Sequence, residues 1–246
     1  MLEMTRPAID QIEEVIREIP GWSPLDQLHT LFSLVLATSG LEGDVVEIGS
    51  WCGRSASVLG LAARYAGNTR VHCIDLFPER DDWYENADGS YSFKVSIGGK
   101  TFSGYTDQTV WKEPFLRDIA PLYEKHRGVL EIFQQSVAKA GVADLVRAHR
   151  GDAATFFARA AEPFRCRLAF LDGDHSYAAV CDDIRQVDRH LVPGGWICFD
   201  DAFSYYDGVN QAITDLIIAN PAYDLKQQMT RKCFVARKKP TAMPST

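Results

Sequence analysis

The chain has 246 residues, 46% of them hydrophobic and 24% charged, which is enough to bury one full core and makes a single α/β domain the default. A formal charge of −7 and a pI near 5.4 argue against a nucleic-acid partner, since phosphate binding needs a basic face, and favour a small molecule. Charges interrupt the apolar residues of positions 1–20 and no apolar run reaches bilayer length, so neither a signal peptide nor a membrane partner is expected and the protein reads as cytoplasmic.

In chain order, two amphipathic stretches, 8–19 and 24–37, come first and are expected to cover the sheet or its ligand. A buried-strand signal follows at 45–48, where Val45, Val46, Glu47 and Ile48 run into a glycine, and a second at 71–74. After a helix at 129–140 come strands at 146–149 and 168–171, a helix at 177–191 stopped by Pro193-Gly194-Gly195, and a strand at 196–199. A last helix at 209–219 leads to two strand-like runs, 223–229 and 233–237, that read as a terminal hairpin. This alternation predicts a Rossmann-like, doubly wound α/β sheet of seven strands, mostly parallel, ending in an antiparallel hairpin. The domain is expected over 41–237, with N-terminal helices at 1–40 and a disordered tail at 238–246.

The connection from Phe77 to about Arg127 is far longer than an ordinary α/β loop and must hold an insertion. Gly98-Gly99 lies between alternating runs and predicts a hairpin there. Positions 77–115 also concentrate aromatic residues, among them Trp83, Tyr84, Tyr91, Phe93, Phe102, Tyr105 and Trp111. Such a segment could roof an acceptor pocket or form a subunit interface in a homo-oligomer, and both readings stand at this point. The six cysteines show no C-x-x-C pair and read as small buried hydrophobes.

Two clusters carry chemistry. The first is the turn Gly49-Ser50-Trp51-Cys52-Gly53 after the first strand, which can bend sharply toward a ligand while the next helix offers free N–H groups to a carboxylate. Asp75 closes the second strand, where an acid can accept hydrogen bonds from ribose hydroxyls. Asp152, followed by Ala153, stands after the third strand and serves either an adenine amino group or the N-cap of the next helix. The turn has Ser50-Trp51-Cys52 where a dinucleotide pyrophosphate would need glycine.

The second cluster is acidic. Asp172 and Asp174 leave the fourth strand, Asp200 and Asp201 leave the fifth, and adjacent parallel strands bring these ends together. Crowded carboxylates repel, and a hard divalent cation such as Mg²⁺ would relieve the repulsion.

The runs VVEIGSWCGRSA, IDLF, RGDA, LDGDHSY and PGGWICFDD, in this order over about 41–237, resemble class I S-adenosylmethionine-dependent methyltransferases. Among these the chain is most similar to the metal-dependent small-molecule O-methyltransferases of the catechol and caffeoyl-CoA type and to related sugar and antibiotic O-methyltransferases. The resemblance implies that Glu47, Gly49, Ser55 and Asp75 contact the methionine and ribose of the cofactor, that Asp152 and Ala153 contact its adenine, and that Asp172, Asp200 and Asp201 hold the metal. Catechol-type members have Asn at the position of Asp201. They place a basic lysine where this chain has His175, whose ordinary pKa near 6.5 suits a general base. The function implied is methyl transfer to an oxygen of a small-molecule acceptor, assisted by a divalent metal. The alternatives are a metal-independent N- or C-methyltransferase and a non-catalytic cofactor-binding protein of the same fold.

Overall fold

The computed structural model describes residues 8–105, 110–160 and 163–240. Helices α1 (Ala8–Ile16) and α2 (Leu25–Ala37) precede strand β1 (Asp44–Ile48), helix α3 (Arg54–Tyr65) and strand β2 (Val71–Asp75). A second, smaller sheet then forms from β3 (Trp83–Glu85), β4 (Ser90–Ile97), β5 (Lys100–Gly104) and β6 (Val110–Trp111), followed by the short helical turns α4 (Lys112–Pro114) and α5 (Leu122–Lys125). Strand and helix alternate from α6 (Val129–Lys139) through β7 (Val146–Arg150), α7 (Ala153–Arg159), β8 (Cys166–Leu171), α8 (Tyr177–His190), β9 (Leu191–Phe199) and α9 (Asp207–Ile213). Strands β10 (Tyr223–Gln228) and β11 (Phe234–Lys238) close the fold.

The seven-stranded sheet has the order β10-β11-β9-β8-β1-β2-β7. Strands β7, β2, β1, β8 and β9 run parallel, β11 is antiparallel to β9, and β10 is antiparallel to β11, so the expected architecture is present. Every residue of β8 is buried, as a strand covered on both faces requires. Neighbouring side chains serve opposite cores. Val45 joins Leu28, Leu31, Leu59 and Phe133 under α2, α3 and α6, while Val46 joins Phe156, Ile184, Ile197 and Ile213 under α7, α8 and α9. The chain order reverses at β1, which places a switch point between the C-terminal ends of β1 and β8, where ligands of open α/β sheets bind.

Several boundaries differ from the sequence expectation. Helix α1 ends at Ile16 rather than 19, because the guanidinium of Arg54 takes the carbonyls of Ile16 (2.7 Å) and Ile19 (2.9 Å) and Pro20 has no N–H to continue the ladder. Strand β9 starts at Leu191, not at 196, so Pro193-Gly194-Gly195 lies within the strand and is absorbed where its register with β8 shifts. The last helix is α-helical only to Ile213 and continues as a π turn over Thr214–Ile218. In the insertion, the β4–β5 hairpin turns at Gly98 (φ +58°) and Gly99 (φ +80°), the pair of positive angles a two-residue turn demands. All six cysteines are free and buried. Of the expected tail, Lys238 closes β11 and 241–246 lie outside the described residues. Among the described residues no helix is long and apolar enough to cross a membrane.

Candidate active site

A cavity of about 980 Å³ opens at the switch point. Its floor is made by the ends of β1, β2, β7, β8 and β9, and its walls by residues 20–23 and by the inserted sheet, including Phe93, Phe102 and Tyr105. Of the residues singled out from the sequence, Gly49, Ser50, Trp51, Ser55, Asp75, Asp152, Ala153, Asp172, His175, Asp200 and Asp201 line this one space. Glu47 and Gly53 are not on its surface: Glu47 is 0% exposed behind the turn, and Gly53 packs on Phe133.

The first end of the cavity is built mainly from backbone. Gly49 has φ +86°, and a Cβ there would run into the carbonyl of Asp172, so β1 and β8 can approach this closely only with glycine. Asp75 holds the turn in shape, its Oδ2 accepting from the N–H groups of Ser50 and Trp51 (2.9 Å each) and its Oδ1 from Phe77 (2.6 Å). Burial raises the Asp75 pKa, opposed by these three N–H donors. Helix α3 starts behind Gly53 with no side-chain cap, leaving its first-turn N–H groups for an anion. Arg54 also lines the cavity, and besides the Ile16 and Ile19 carbonyls its guanidinium binds that of Ser23 (3.1 Å), which ties the segment that walls the cavity to the turn. Neither carboxylate oxygen of Glu47 has a partner in hydrogen-bond geometry. Burial pushes its pKa up to about 7, held back by the nearby Ser50 and Ser55 hydroxyls and the Cys73 thiol.

At the next corner Asp152 caps α7 through Thr155 N–H (2.9 Å) while still facing the cavity, so the two sequence readings of this residue are compatible. Asp183 of α8 faces the same corner, its pKa pushed up to about 8 by burial and by Asp174 and Asp152.

The other end is built from side chains. Oxygens of Asp172 and Asp201 and a ring nitrogen of His175 lie within 4.8 Å of one another. His175 Nε2 is 3.4 Å from Asp201 Oδ2, its side chain is 8% exposed, and its ring packs on Tyr206 at 3.9 Å. Burial lowers the His175 pKa, with Asp201 and Asp174 pulling the other way. Asp201 holds φ +51° in the loop after β9, a conformation that Asp tolerates better than most residues. Burial and the Asp200 charge hold the Asp172 carboxyl well above the usual carboxylate range.

Lys232, unremarked in the sequence, also belongs to this cluster. Its Nζ donates to Asp200 Oδ2 (2.9 Å) and Asp201 Oδ1 (3.3 Å). Burial opposes its charge, but Asp200, Asp172 and Asp201 outweigh that and raise its pKa. Its position follows from topology: β11 pairs with β9 as Phe234↔Phe199, so the residues just before Phe234 meet those just after Phe199, and the Lys232 carbonyl accepts from Ala202 N–H (2.9 Å).

The inserted sheet stacks Tyr105 on Trp83 (5.6 Å) with Phe93 edge-on to both, and Trp83 reaches Trp51 of the glycine turn (6.4 Å). A chain of rings thus links the insertion to the first end of the cavity.

A family model described as a methyltransferase domain matches residues 46–202. No curated protein sequence matches the chain. Among solved structures, the chain is similar to the O-methyltransferase NovP, with TM-score 0.59 and 17% identity over 92% of this chain and 88% of that one. It is also similar to the O-methyltransferase from Bacillus cereus in complex with SAH (TM-score 0.56, 15% identity, 97% and 94% covered). The O-methyltransferase TomG from Streptomyces achromogenes, involved in tomaymycin synthesis and in complex with SAM, gives TM-score 0.54 and 14% identity over 97% of this chain and 92% of its own. At these identities the likeness is one of fold.

Proposed function

Because this chain belongs to the methyltransferase domain family, we propose that it transfers a methyl group from S-adenosylmethionine to an oxygen of a small-molecule acceptor. The observation that carries the proposal is that one cavity joins the glycine turn and Asp75 to the His175–Asp201 pair, so a donor and an acceptor site share a wall. The residues at the first end fit the cofactor: the uncapped start of α3 suits its carboxylate, Asp75 its ribose, and Asp152 with Ala153 its adenine. S-adenosylmethionine supplies a methyl group already activated on a sulfonium sulfur.

The protein then has to exclude water, align the acceptor and remove one proton. His175, oriented by Asp201, is the base in this reading: it takes the acceptor hydroxyl proton, the oxygen lone pair forms the new bond to carbon, and the carbon–sulfur pair returns to sulfur. The inserted sheet, which supplies Phe93, Phe102 and Tyr105 to the cavity wall, acts as its roof. A Mg²⁺ or other divalent cation on Asp172, Asp200 and Asp201 would have to share or displace Lys232, which already contacts two of these three.

Calorimetric titration should show binding of S-adenosylmethionine and its demethylated product but not of NAD. With an acceptor found in a library of hydroxylated compounds, His175→Ala should lower turnover on the order of 10²–10⁴-fold with cofactor affinity unchanged. Near-wild-type turnover would take proton removal away from His175.

A further inference from the structure

We infer that Lys232 is the resident cation of the acceptor site and that its ammonium does the work a divalent metal would otherwise do there. This rests on the methyl-transfer reading above, and its first measurement needs no acceptor.

The carboxyl groups of Asp172, Asp200 and Asp201 line one end of the cavity just after β8 and β9, where like charges repel and a positive charge relieves the repulsion. The chain provides one. Lys232 Nζ lies 2.9 Å from Asp200 Oδ2 and 3.3 Å from Asp201 Oδ1, and Lys232 also lines the cavity. Its side chain is 14% exposed and that of Asp200 3%, so this pair is sheltered from the solvent and salt that weaken surface ion pairs. Asp201 is the hinge of the arrangement, with one oxygen on Lys232 and the other on His175 Nε2 at 3.4 Å. The base and the ammonium therefore flank the same carboxylate.

A divalent ion held by Asp172, Asp200 and Asp201 would share two of its three ligands with Lys232 and lie against a like charge. In the inferred arrangement Lys232 stays protonated throughout. It donates an N–H to the acceptor oxygen while His175 takes that oxygen's proton, and so stabilises the negative charge that develops before the carbon–oxygen bond is complete. Lys232 is thus assigned as a catalytic residue, and Asp200 as the residue that positions it.

The test uses the full chain and Mn²⁺ as the probe, followed by electron paramagnetic resonance with S-adenosylhomocysteine present. Wild type should leave Mn²⁺ free in solution, whereas Lys232→Met, which removes the charge but keeps most of the stem, should acquire one bound Mn²⁺ that Asp172→Asn then abolishes. Lys232→Arg, retaining the charge, should stay without a bound ion. Far-ultraviolet circular dichroism and the thermal midpoint of each variant report that it is folded. One tight Mn²⁺ per wild-type chain overturns the inference whether or not an acceptor is ever found. With an acceptor in hand, turnover should persist in excess EDTA and fall on the order of 10²–10³-fold in Lys232→Met. Loss of wild-type turnover in EDTA with recovery on adding Mg²⁺ would also overturn it.

Discussion

The two ends of the cavity solve the same problem, fixing a charged ligand at the edge of a sheet, with different materials. At the first end the site is shaped by backbone N–H groups: those of Ser50, Trp51 and Phe77 fix Asp75, and those of the uncapped first turn of α3 stay open to a ligand. At the other end it is shaped by side chains from three separate segments, with Asp172 and His175 after β8, Asp200 and Asp201 after β9, and Lys232 before β11. The difference has a physical consequence. A backbone site depends on chain path and is disrupted by steric change, whereas a side-chain site depends on charge balance and is disrupted by changes in charge.

The largest effect should therefore come from a substitution at the first end that adds one carbon and no charge. Gly49→Ala forces a left-handed backbone angle on alanine and drives its Cβ into the carbonyl of Asp172. Strain and overpacking together should cost on the order of 3 kcal/mol or more, seen as a lower denaturation midpoint, with cofactor binding lost as well. Because the clash lies on the segment that carries Asp172, the acceptor end should be disturbed too. A stable Gly49→Ala protein with wild-type cofactor affinity would break the comparison, since the turn would then not depend on its path.

A second test concerns a side chain at the first end that lies behind the turn. Glu47 is fully buried with no partner in hydrogen-bond geometry, and burial lifts its pKa from an ordinary 4.5 to about 7 against the nearby Ser50, Ser55 and Cys73. The folded protein thus holds a proton on Glu47 that the unfolded chain has released. This contribution to stability is fully present below about pH 4.5 and lost as pH rises through about 7, a change of about 3 kcal/mol at most. Glu47→Gln keeps the shape and removes the titration. Relative to wild type, without cofactor, it should gain stability between pH 5 and pH 8. Parallel pH profiles in urea would show that Glu47 titrates normally and has a partner after all.

The contrast between the ends also explains what was legible in the sequence. The glycine turn, Asp75 and the seven-stranded, mostly parallel sheet were readable because each rests on local signals: a buried run ending in glycine, an acid at a strand end, helices alternating with strands. Asp172, His175, Asp200 and Asp201 were readable as candidates because parallel neighbours must end side by side. Lys232 was not, because the Thr230-Arg231-Lys232 run looks like polar linker. Only the pairing of β11 with β9 brings it to Asp200, and that register is a non-local fact. The start of β9 was misplaced for a similar reason: Pro193-Gly194-Gly195 is a strong local stop signal, overridden here by pairing of Leu191 with Cys166. Glu47 was assigned to the cofactor surface by resemblance, yet it lies behind that surface, since the inward or outward facing of a strand residue depends on the sheet around it.

The smallest effect should be the most discriminating, because Asp75 serves both the path of the turn and the ligand. Its carboxylate already accepts three N–H groups, so a ribose bound there must share oxygens that hold the turn. Asp75→Ala should weaken binding of S-adenosylhomocysteine by about 1–3 kcal/mol, the range for hydrogen bonds to a charged group. That loss alone does not say which duty was removed. Calorimetry with the 2′-deoxy and 3′-deoxy forms of the same ligand separates the two. If Asp75 contacts the ribose, at least one deoxy ligand binds wild type more weakly than the parent ligand, and the penalty shrinks in Asp75→Ala because the partner is already gone. If Asp75 only shapes the turn, each ligand loses the same free energy on mutation and the deoxy penalties are unchanged. The second outcome would make the first end a site of backbone atoms alone and sharpen its contrast with the side-chain cluster around Lys232.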